Sequence, residues 1–400
     1  MPLSFTVSGH AKVLPSVLLL LSGLALLWRH AATRRSYRHA WPVMAACGLG
    51  LLYPALNILG HGLGWKQFDR PSHILLYLAT AAVFSLPLRM RWVWLGFSLT
   101  AILLGTVCIV QHDVLGIRRA YGLNGGGWGA IEFAMVLLVL ALLAWIRVLF
   151  APGDRLERGL HVAGAVFGMY GALLTQSRGP LLAFIPMLLL LLLLYARRTR
   201  HWLRALLLLG AIVGGGALAG ASVHAVVLHR LAAVAPEVAS YDHRDDANGS
   251  VGERLEMWRT AGHAFLAHPL SGVGIDQFGA YARRQIAAGH ANPVIAKYDH
   301  PHNEYLDAAA TGGLPGLLVL LLIFGVPCGY FVRHLRHAGE PAMIAATLGG
   351  LVVVGMYALC ALTDNVFYRA MPHSMYFFLV LGLAVMIGRL ATQRQVMHRV

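Results

Sequence analysis

Long apolar runs constrain the fold of this chain more than any other feature. Eleven runs are long enough to cross about 30 Å of hydrocarbon. With 58% hydrophobic and only 12% charged residues, the 400-residue chain holds more apolar surface than a soluble core could bury. The sequence therefore predicts an all-α, polytopic membrane bundle of about 11 to 12 transmembrane helices. The runs lie near residues 12–28, 41–60, 73–88, 92–110, 129–147, 160–176, 180–196, 204–224, 312–332, 342–362 and 373–390.

Basic residues are concentrated in alternate loops, which predicts the orientation of the chain. Cytoplasmic loops retain Lys and Arg, and six alternate loops carry 18 of the 32 Lys and Arg residues. These loops are predicted inside, so the long loop faces outside. We expect N-terminal transmembrane helices over 1–224, an outer loop over 225–311 and C-terminal transmembrane helices over 312–400. No small-x-small cleavage site precedes the basic RHAATRR segment, so the first run is interpreted as a retained helix.

Neither the basic net charge nor the cysteines indicate a nucleic-acid partner, a disulfide framework or a metal cluster. A charge of +15 suits a membrane protein, whose inner loops carry arginine and contact anionic membrane lipids. No nucleic-acid-binding module is visible, and no cofactor is predicted. The cysteines lie far apart within predicted helices, which favours packing roles over a disulfide framework or metal cluster. They are Cys47, Cys108, Cys328 and Cys360.

An arginine stands at a predicted outer helix junction, against the positive-inside bias. The stretch LTQSRGPLLAF, residues 174–184, places Arg178 after Gln176 and Ser177 and before a Gly-Pro turn. The side chain could snorkel to lipid headgroups. It could instead bind an anion, because a guanidinium presents a planar fork of donors to phosphate oxygens.

A second arginine lies in the first turn of a predicted amphipathic helix in the outer loop. Ser250 and Glu253 form a capping-box pattern, and apolar residues follow at helical spacing. Arg254 does not complement the helix dipole there, and an acidic ligand would reverse that unfavourable interaction. The alternative is a surface arginine paired with Glu253 or Glu256.

Two further outer segments carry arginines whose sequence context does not indicate one particular role. DRPSH (69–73) contains Arg70, and IRRAYGLNGGGWGA (117–130) contains Arg118 and Arg119. These segments could shape a cleft or cap helices.

The stretch DHPHNEYLD, residues 299–307, crowds titratable groups against an apolar run. Pro301 biases His300 toward extended backbone, and Asn303 is a good N-cap for the following helix. Extended backbone would point His300 and His302 to one side. Metal binding through both histidines with Glu304 or Asp299 is one interpretation, but no further ligand group has a recognisable spacing. The others are a structural role and a general base whose ring is held by Asp299, Glu304 or Asp307.

The residues 302–316, HNEYLDAAATGGLPG, resemble the signature of the bacterial O-antigen ligase and O-antigen polymerase superfamily. The signature is His, then Asn, Ser or Gln, nine residues, Gly, two residues, and Gly, Thr or Tyr. Here it reads His302, Asn303, nine residues, Gly313, two residues, Gly316. The SRG, ERLEMW and HPLSGVGIDQF segments resemble the family in its order, so the likeness covers about residues 170–330. Motif spacing and the large outer loop resemble the ligase branch.

The resemblance implies a GT-C-like, metal-independent, inverting glycosyltransferase of the bacterial inner membrane with a periplasmic active site. It implies transfer of an O-antigen polysaccharide from undecaprenyl pyrophosphate onto the lipid A-core oligosaccharide. The catalytic histidine corresponds to His302, and the two pyrophosphate-binding arginines correspond to Arg178 and Arg254. Asn303, Glu304, His300, Arg70 and Arg119 are possible supporting residues.

Other activities are compatible with the same residues. A polymerase of the superfamily would use another lipid-linked repeat as acceptor, and a protein oligosaccharyltransferase would use a hydroxyl side chain. A transporter would place ionisable residues in mid-membrane, but the predicted helices are nearly free of them, with Glu132 the main exception. The family is drawn with twelve helices, whereas eleven runs are found here, so the placement of the N-terminal helices is open.

Overall fold

The computed structural model describes residues 4, 6, 13–87, 90–123, 125, 127, 129–151, 153–219 and 249–397. In these residues the secondary structure is helical, and no strand is present. The α-helices are α1 (Val13–Arg29), α2 (Ala31–His39), α3 (Trp41–Gly60), α4 (Asp69–Thr80), α5 (Met90–Ile109), α6 (Ala130–Phe150), α7 (Arg155–Leu174), α8 (Arg178–Thr199), α9 (Trp202–Ala219), α10 (Ser250–Ala267), α11 (Phe278–Ala287), α12 (Glu304–Arg336), α13 (Pro341–Cys360) and α14 (Ala370–Met397).

The predicted apolar runs coincide with helices, although the end of the run at 204–224 lies outside the described residues. Seven of the described helices are long and apolar enough to cross a membrane: α3, α5, α6, α8, α12, α13 and α14. The pair α1 and α2, bent by 99°, is an eighth candidate if it forms one span. The chain is therefore an all-helical, multi-pass membrane protein. The count of 11 to 12 spans and the GT-C-like arrangement remain predictions.

Loops predicted on opposite sides of the membrane lie at opposite ends of the bundle. At one end, the Nε2 atoms of His39 and His334 lie 3.1 Å apart. Both belong to predicted inner loops. At the other end, which we call the outer end, Arg119 donates to the hydroxyl of Ser177 at 3.3 Å. The structure therefore agrees with the alternation of loops, while the membrane side of each end remains a prediction.

Helix α6 forms the centre of the bundle. Most of its side chains are buried, and it packs against α5, α7, α8 and α13. A helix that is apolar all round suits such a central position. Small residues bring its neighbours together: a Cβ atom on Gly105 of α5 would lie 2.3 Å from the carbonyl oxygen of Phe167 in α7. Any larger residue at Gly105 would force these two helices apart.

Helix α12 is kinked where the outer end of the bundle begins. Gly313 has φ 62° and ψ −160°, a conformation that glycine adopts without a Cβ penalty. Pro315 follows and has no N–H, so the carbonyl of Thr311 loses its intrahelical donor. The turned backbone at Gly313 also frees the carbonyl of Ala310.

The HPLSGVG segment, residues 268–274, satisfies the two freed carbonyls. The backbone N–H of Val273 donates to Ala310 at 2.9 Å, and that of Gly274 donates to Thr311 at 3.0 Å. Close backbone approach requires glycine, because a Cβ atom on Gly272 would lie 2.2 Å from the carbonyl carbon of Thr311. The kink thus attaches the outer segment to a membrane helix.

The predicted domain boundary at 311/312 lies inside α12. The helix already begins at Glu304 and continues to Arg336. Residues 304–311 are therefore helical and precede the kink at Gly313, while the division of the chain into three parts remains a prediction. The rest of the predicted outer loop contains α10 and α11, and its residues 225–248 lie outside the described residues.

Candidate active site

The α13–α14 loop, residues 361–369, organises the outer end. Its sequence ALTDNVFYR carries polar groups that contact the segments singled out from the sequence. The buried polar side chains of this loop are Asp364 and Asn365. The loop was not recognised as a site from the sequence, although it holds an acid and an amide in an outer turn.

His302 is held by Asp364 of this loop. Its Nδ1 lies 2.8 Å from Oδ1 of Asp364, and the side chains are 23% and 7% exposed. Burial raises the pKa of Asp364, but the hydrogen bond and charge of His302 outweigh burial and leave that pKa below its ordinary value. An ionised carboxylate only accepts hydrogen bonds, so Nδ1 carries the proton. When the ring is neutral, Nε2 has a lone pair and can accept a proton.

The sequence-based expectation about the acid beside His302 was therefore wrong. Asp299, Glu304 and Asp307 were expected to hold the ring because they are close in sequence. Each has another partner. These are Arg283 for Asp299 at 3.3 Å, the backbone N–H of Phe367 for Glu304 at 3.0 Å and the side-chain amide of Asn365 for Asp307 at 2.8 Å.

His300 lies beside His302 in a different environment. Its Nδ1 is 3.2 Å from Oδ1 of Asn365, and its ring centroid lies 4.2 Å from that of Tyr368. Burial and then the charge of His302 lower the pKa of His300 to about 4. His300 is therefore neutral near pH 7 and packs the loop against Tyr368.

The backbone at His302 is not extended as expected. His302 has φ 50°, in the left-handed region that non-glycine residues rarely adopt. The rings of His300 and His302 are still neighbours, with centroids 4.5 Å apart. Gln176 and Asp276 at the outer end also have positive φ. Such strained residues cluster at functional sites, where surrounding contacts hold them in place.

Asn303 is the N-cap of α12, as predicted. Its side-chain oxygen accepts from the backbone N–H of Leu306 at 3.1 Å. Its amide donates to the carbonyl of Leu362 at 3.1 Å, and its backbone N–H donates to Asn365 at 3.0 Å. Asn303 therefore starts the helix and also fastens it to the α13–α14 loop, next to His302.

Helix α10 forms over the predicted residues, but the capping box does not. The N-cap is Gly249, and Ser250 is the first helical residue. Glu253 instead binds the Nζ of Lys297 at 2.8 Å and the hydroxyl of Tyr298. Its carboxylate is engaged by these donors rather than by the helix end.

The same contacts bring the first turn of α10, which bears Arg254, near the segment of His302. The ring of Tyr298, which Glu253 holds, lies 5.4 Å from the ring of His302. Arg254 follows Glu253 and is half-buried. Within the described part of the chain, neither Glu253 nor Glu256 pairs with Arg254. The pairing considered from the sequence is therefore not formed there.

Arg178 reaches the site from a separate helix. It is the first residue of α8, after the N-cap Ser177. A Cβ atom on Gly179 would lie 2.4 Å from Oγ1 of Thr363, the residue before Asp364. Gly179 therefore allows the start of α8, which bears Arg178, to pack against the loop that holds His302.

Arg119 and Arg70 brace the surrounding segments. Arg119 donates to the carbonyl of Thr175 at 2.9 Å and thereby supports the turn before Arg178. Arg70 pairs with Asp276 at 2.5 Å and donates to the carbonyl of Tyr368 at 2.6 Å. Both arginines contact the site segments through protein partners.

Arg369 ends the α13–α14 loop and was not singled out from the sequence. Its Nε lies 2.5 Å from the carboxylate of Glu132, in the first turn of α6. Glu132 thus lies at the outer end of its helix, paired with a cation, and not in mid-membrane as a transport residue would. This ion pair joins the central helix to the loop.

One comparison with known proteins matches a part of the chain that contributes to this site. Residues 163–321 match the family model described as O-antigen ligase. This match supports membership of the O-antigen ligase/polymerase superfamily. The match covers Arg178, Arg254 and His302, so it supports a ligase- or polymerase-type glycosyltransferase activity with lipid-linked and polysaccharide substrates.

A bacterial relative extends the similarity beyond the matched domain. A protein of Haemophilus influenzae, described as uncharacterized, is 23% identical over 303 residues. The aligned region covers 75% of this chain and 74% of the relative. Its description adds no activity to that of the superfamily.

One group of residues at the site could hold a metal ion. Among the described residues, possible ligand atoms of His300, His302 and Asp364 lie within 4.8 Å of one another. In the present arrangement, however, Nδ1 of His302 is hydrogen-bonded to Asp364, and Nδ1 of His300 is near Asn365. One ring nitrogen of each histidine is therefore already hydrogen-bonded within the protein.

A cavity of about 160 Å³ is lined by residues of α3, α4, α12 and the α13–α14 loop. Its polar lining includes Arg70, Asp276, Glu304, Asp307 and Asn365, and its inner lining is apolar. Glu304 is therefore placed with this cavity rather than against the ring of His302. The sequence could not show that Glu304 and His302 lie in different surroundings, because both residues belong to one short motif.

Proposed function

We propose that the protein is an O-antigen ligase of the bacterial inner membrane. It transfers an O-antigen polysaccharide from undecaprenyl pyrophosphate to the lipid A-core oligosaccharide on the periplasmic side. The observation that carries this proposal is the 2.8 Å contact between His302 and Asp364, adjacent to the segments that bear Arg178 and Arg254.

His302 acts as the general base in this proposal. Nε2 takes the proton of the acceptor hydroxyl while the hydroxyl oxygen attacks the anomeric carbon of the donor. Asp364 keeps the ring in the required tautomer and stabilises the imidazolium that forms. The ionised state of Asp364 supports this role, because its lowered pKa reflects the hydrogen bond and charge of His302.

Arg178 and Arg254 bind the leaving pyrophosphate. The bond between the anomeric carbon and the phosphate oxygen breaks, and its electron pair goes to that oxygen. Two guanidinium groups meet the developing charge without a metal ion. They come from α8 and α10, whereas the base comes from the start of α12. Attack opposite the leaving group inverts the configuration at the anomeric carbon.

A reconstituted reaction tests the proposal. Purified protein is incubated with undecaprenyl-pyrophosphate-linked O-antigen and lipid A-core, in the presence of a chelator. A ladder of ligated lipid A-core supports the ligase. A strict requirement for added metal contradicts the metal-independent mechanism and favours an ion held by His300, His302 and Asp364.

The acceptor requirement separates ligase from polymerase. The same protein is incubated with lipid-linked repeat units and no lipid A-core. A polymerase lengthens the lipid-linked chain under these conditions, whereas a ligase leaves it unchanged. Chain growth without lipid A-core contradicts the ligase assignment.

A further inference from the structure

A groove opens at the outer end of the bundle, away from the arginines assigned to pyrophosphate. It has a volume of about 770 Å³ and lies between the end of α3, the HPLSGVG segment and the last turn of α11. Arg178 and Arg254 do not line it. The groove is therefore lined by residues other than the arginines assigned to pyrophosphate.

The groove has apolar and basic parts. Leu56 of α3 and Leu270 of the HPLSGVG segment line it and are 55% and 75% exposed. Arg284 and His268 also line it and are exposed. No carboxylate belongs to the lining formed by described residues. An apolar surface beside a cation is complementary to a lipid that carries an anionic headgroup.

Arg284 differs from the adjacent Arg283 in its salt bridges. Arg283 lies 3.3 Å from the carboxylate of Asp299. Arg284 forms no salt bridge with any residue that the structure describes. Its charge is therefore available to a ligand in the groove, whereas that of Arg283 is paired.

The groove adjoins the acid-lined cavity. Tyr53 and Asn57 line both spaces. The cavity extends to Asn365, whose side chain contacts His300 and the backbone N–H of Asn303, on either side of His302. The groove and the cavity are therefore neighbours, and Asn365 links the cavity lining to the segment that bears His302.

We infer that this groove binds the acceptor, a phosphorylated glycolipid anchored in the same membrane. Its acyl chains contact the apolar wall, and its phosphate contacts Arg284. This inference rests on the proposed function for the identity of the acceptor. Inversion requires the nucleophile to approach from the side opposite the leaving group, so an acceptor site is expected on a surface that the pyrophosphate arginines do not line.

Substitution of Gly60 tests the groove by filling it. Gly60 lines the groove at the end of α3, and a Cβ atom there would meet nothing within 4 Å. Gly60→Trp should fold normally and weaken binding of purified lipid A-core at least tenfold. Gly48→Trp is the matched control, since Gly48 lies on the same helix, also has open space and does not line the groove. Binding is measured without donor, so the result does not depend on transfer activity.

Substitution of Arg284 tests the headgroup contact. Arg284→Gln should weaken binding of lipid A-core about tenfold, while Arg283→Gln leaves it unchanged. Removal of the lipid A phosphates should weaken binding to the wild type but have little further effect on Arg284→Gln. Equal sensitivity of both proteins to phosphate removal overturns the headgroup contact.

Binding and transfer together separate the two proposals. Wild-type protein that binds lipid A-core through the groove but transfers no glycan supports the groove and contradicts the ligase. Unchanged acceptor binding in Gly60→Trp, or equal loss in Gly48→Trp, overturns the groove assignment. Gly60→Trp could instead weaken binding of undecaprenyl-pyrophosphate-linked glycan and leave acceptor binding intact. That result assigns the groove to the donor and overturns its assignment to the acceptor. Failure of the wild type to bind lipid A-core overturns it as well.

Discussion

The Nδ1 atom of His302 lies 2.8 Å from Oδ1 of Asp364, and the two residues are 62 positions apart in the sequence. One stands at the start of α12 and the other in the loop after α13. The contact therefore depends on the packing of two helices against each other. It fixes the tautomer of His302 and directs Nε2 away from the carboxylate, which is the arrangement that a general base requires.

Replacement of His302 should affect chemistry more than binding. His302→Ala should lower turnover by roughly the 10²- to 10⁴-fold typical of general-base removal. Binding of the lipid pyrophosphate should survive, because the arginines remain. Ligation rate and donor affinity are measured on the purified variant.

His300→Ala is the control for His302. It should be milder, because His300 packs against Tyr368 and its pKa of about 4 reflects a buried, neutral ring. A metal site makes a different prediction, since loss of either histidine ligand should then be comparably severe. Equal losses in both variants, or lost donor binding in His302→Ala, would argue against the base.

Asp364 should act through His302. Asp364→Asn keeps the size of the side chain but removes the charge that selects the tautomer, so turnover should fall roughly 10²- to 10⁴-fold. KM for the donor should change little. Asp364→Glu should recover part of the activity, because it restores the carboxylate. A purely structural role would instead give inactive, unfolded protein in both variants, detected by thermal unfolding in detergent.

The arginines should require the guanidinium and not only a charge. Arg254→Lys loses the planar fork and should lose most activity if the contact to pyrophosphate is forked. Arg259→Lys is the matched control on α10, because Arg259 lies 3.8 Å from Glu256. Full activity in Arg254→Lys reduces Arg254 to a surface residue or a point charge.

Arg178→Ala should weaken transfer while the protein remains folded in the membrane. Its position at the start of α8 leaves helix packing to the apolar residues that follow. Donor binding and the amount of folded protein are measured side by side. Loss of folded protein together with activity would assign Arg178 a structural role.

The membrane helices and the candidate residues follow from the sequence for separate reasons. Apolar runs are local, so their positions could be read directly, and the start of α12 at Asn303 followed from its capping chemistry. His302, Arg178 and Arg254 were found because basic groups at an outer helix end are unusual. The family resemblance then assigned their roles.

The partners of these residues could not be predicted because they are distant in sequence. Asp364 was missed since local acids offered nearer alternatives for His302. The positive φ of His302 was missed since Pro301 predicted extended backbone, whereas contacts with the α13–α14 loop determine the conformation. The capping box failed because Glu253 binds Lys297 and Tyr298 instead.

The glycine at the kink of α12 should be essential for the outer segment to dock. Gly313 has φ 62°, and a Cβ atom there would lie 2.7 Å from the carbonyl carbon of Leu270. Gly313→Ala should therefore cost at least the 1–3 kcal/mol typical of such backbone strain and lower activity. Gly325→Ala on the same helix is the control, since a Cβ atom there meets nothing within 4 Å. Thermal unfolding compares the two, and equal stability would contradict this role of the kink.

The outer end should face the periplasm, which cysteine labelling can test. Ser250 at the start of α10 and Gly339 between α12 and α13 are both exposed and lie on opposite predicted sides. Ser250→Cys should react with a membrane-impermeant maleimide in intact spheroplasts, and Gly339→Cys should react only after the membrane is opened. Wild type gives the background, because Cys47, Cys108 and Cys360 are buried and Cys328 is partly buried. The reverse labelling pattern would place His302, Arg178 and Arg254 in the cytoplasm, where the proposed ligation to lipid A-core could not take place.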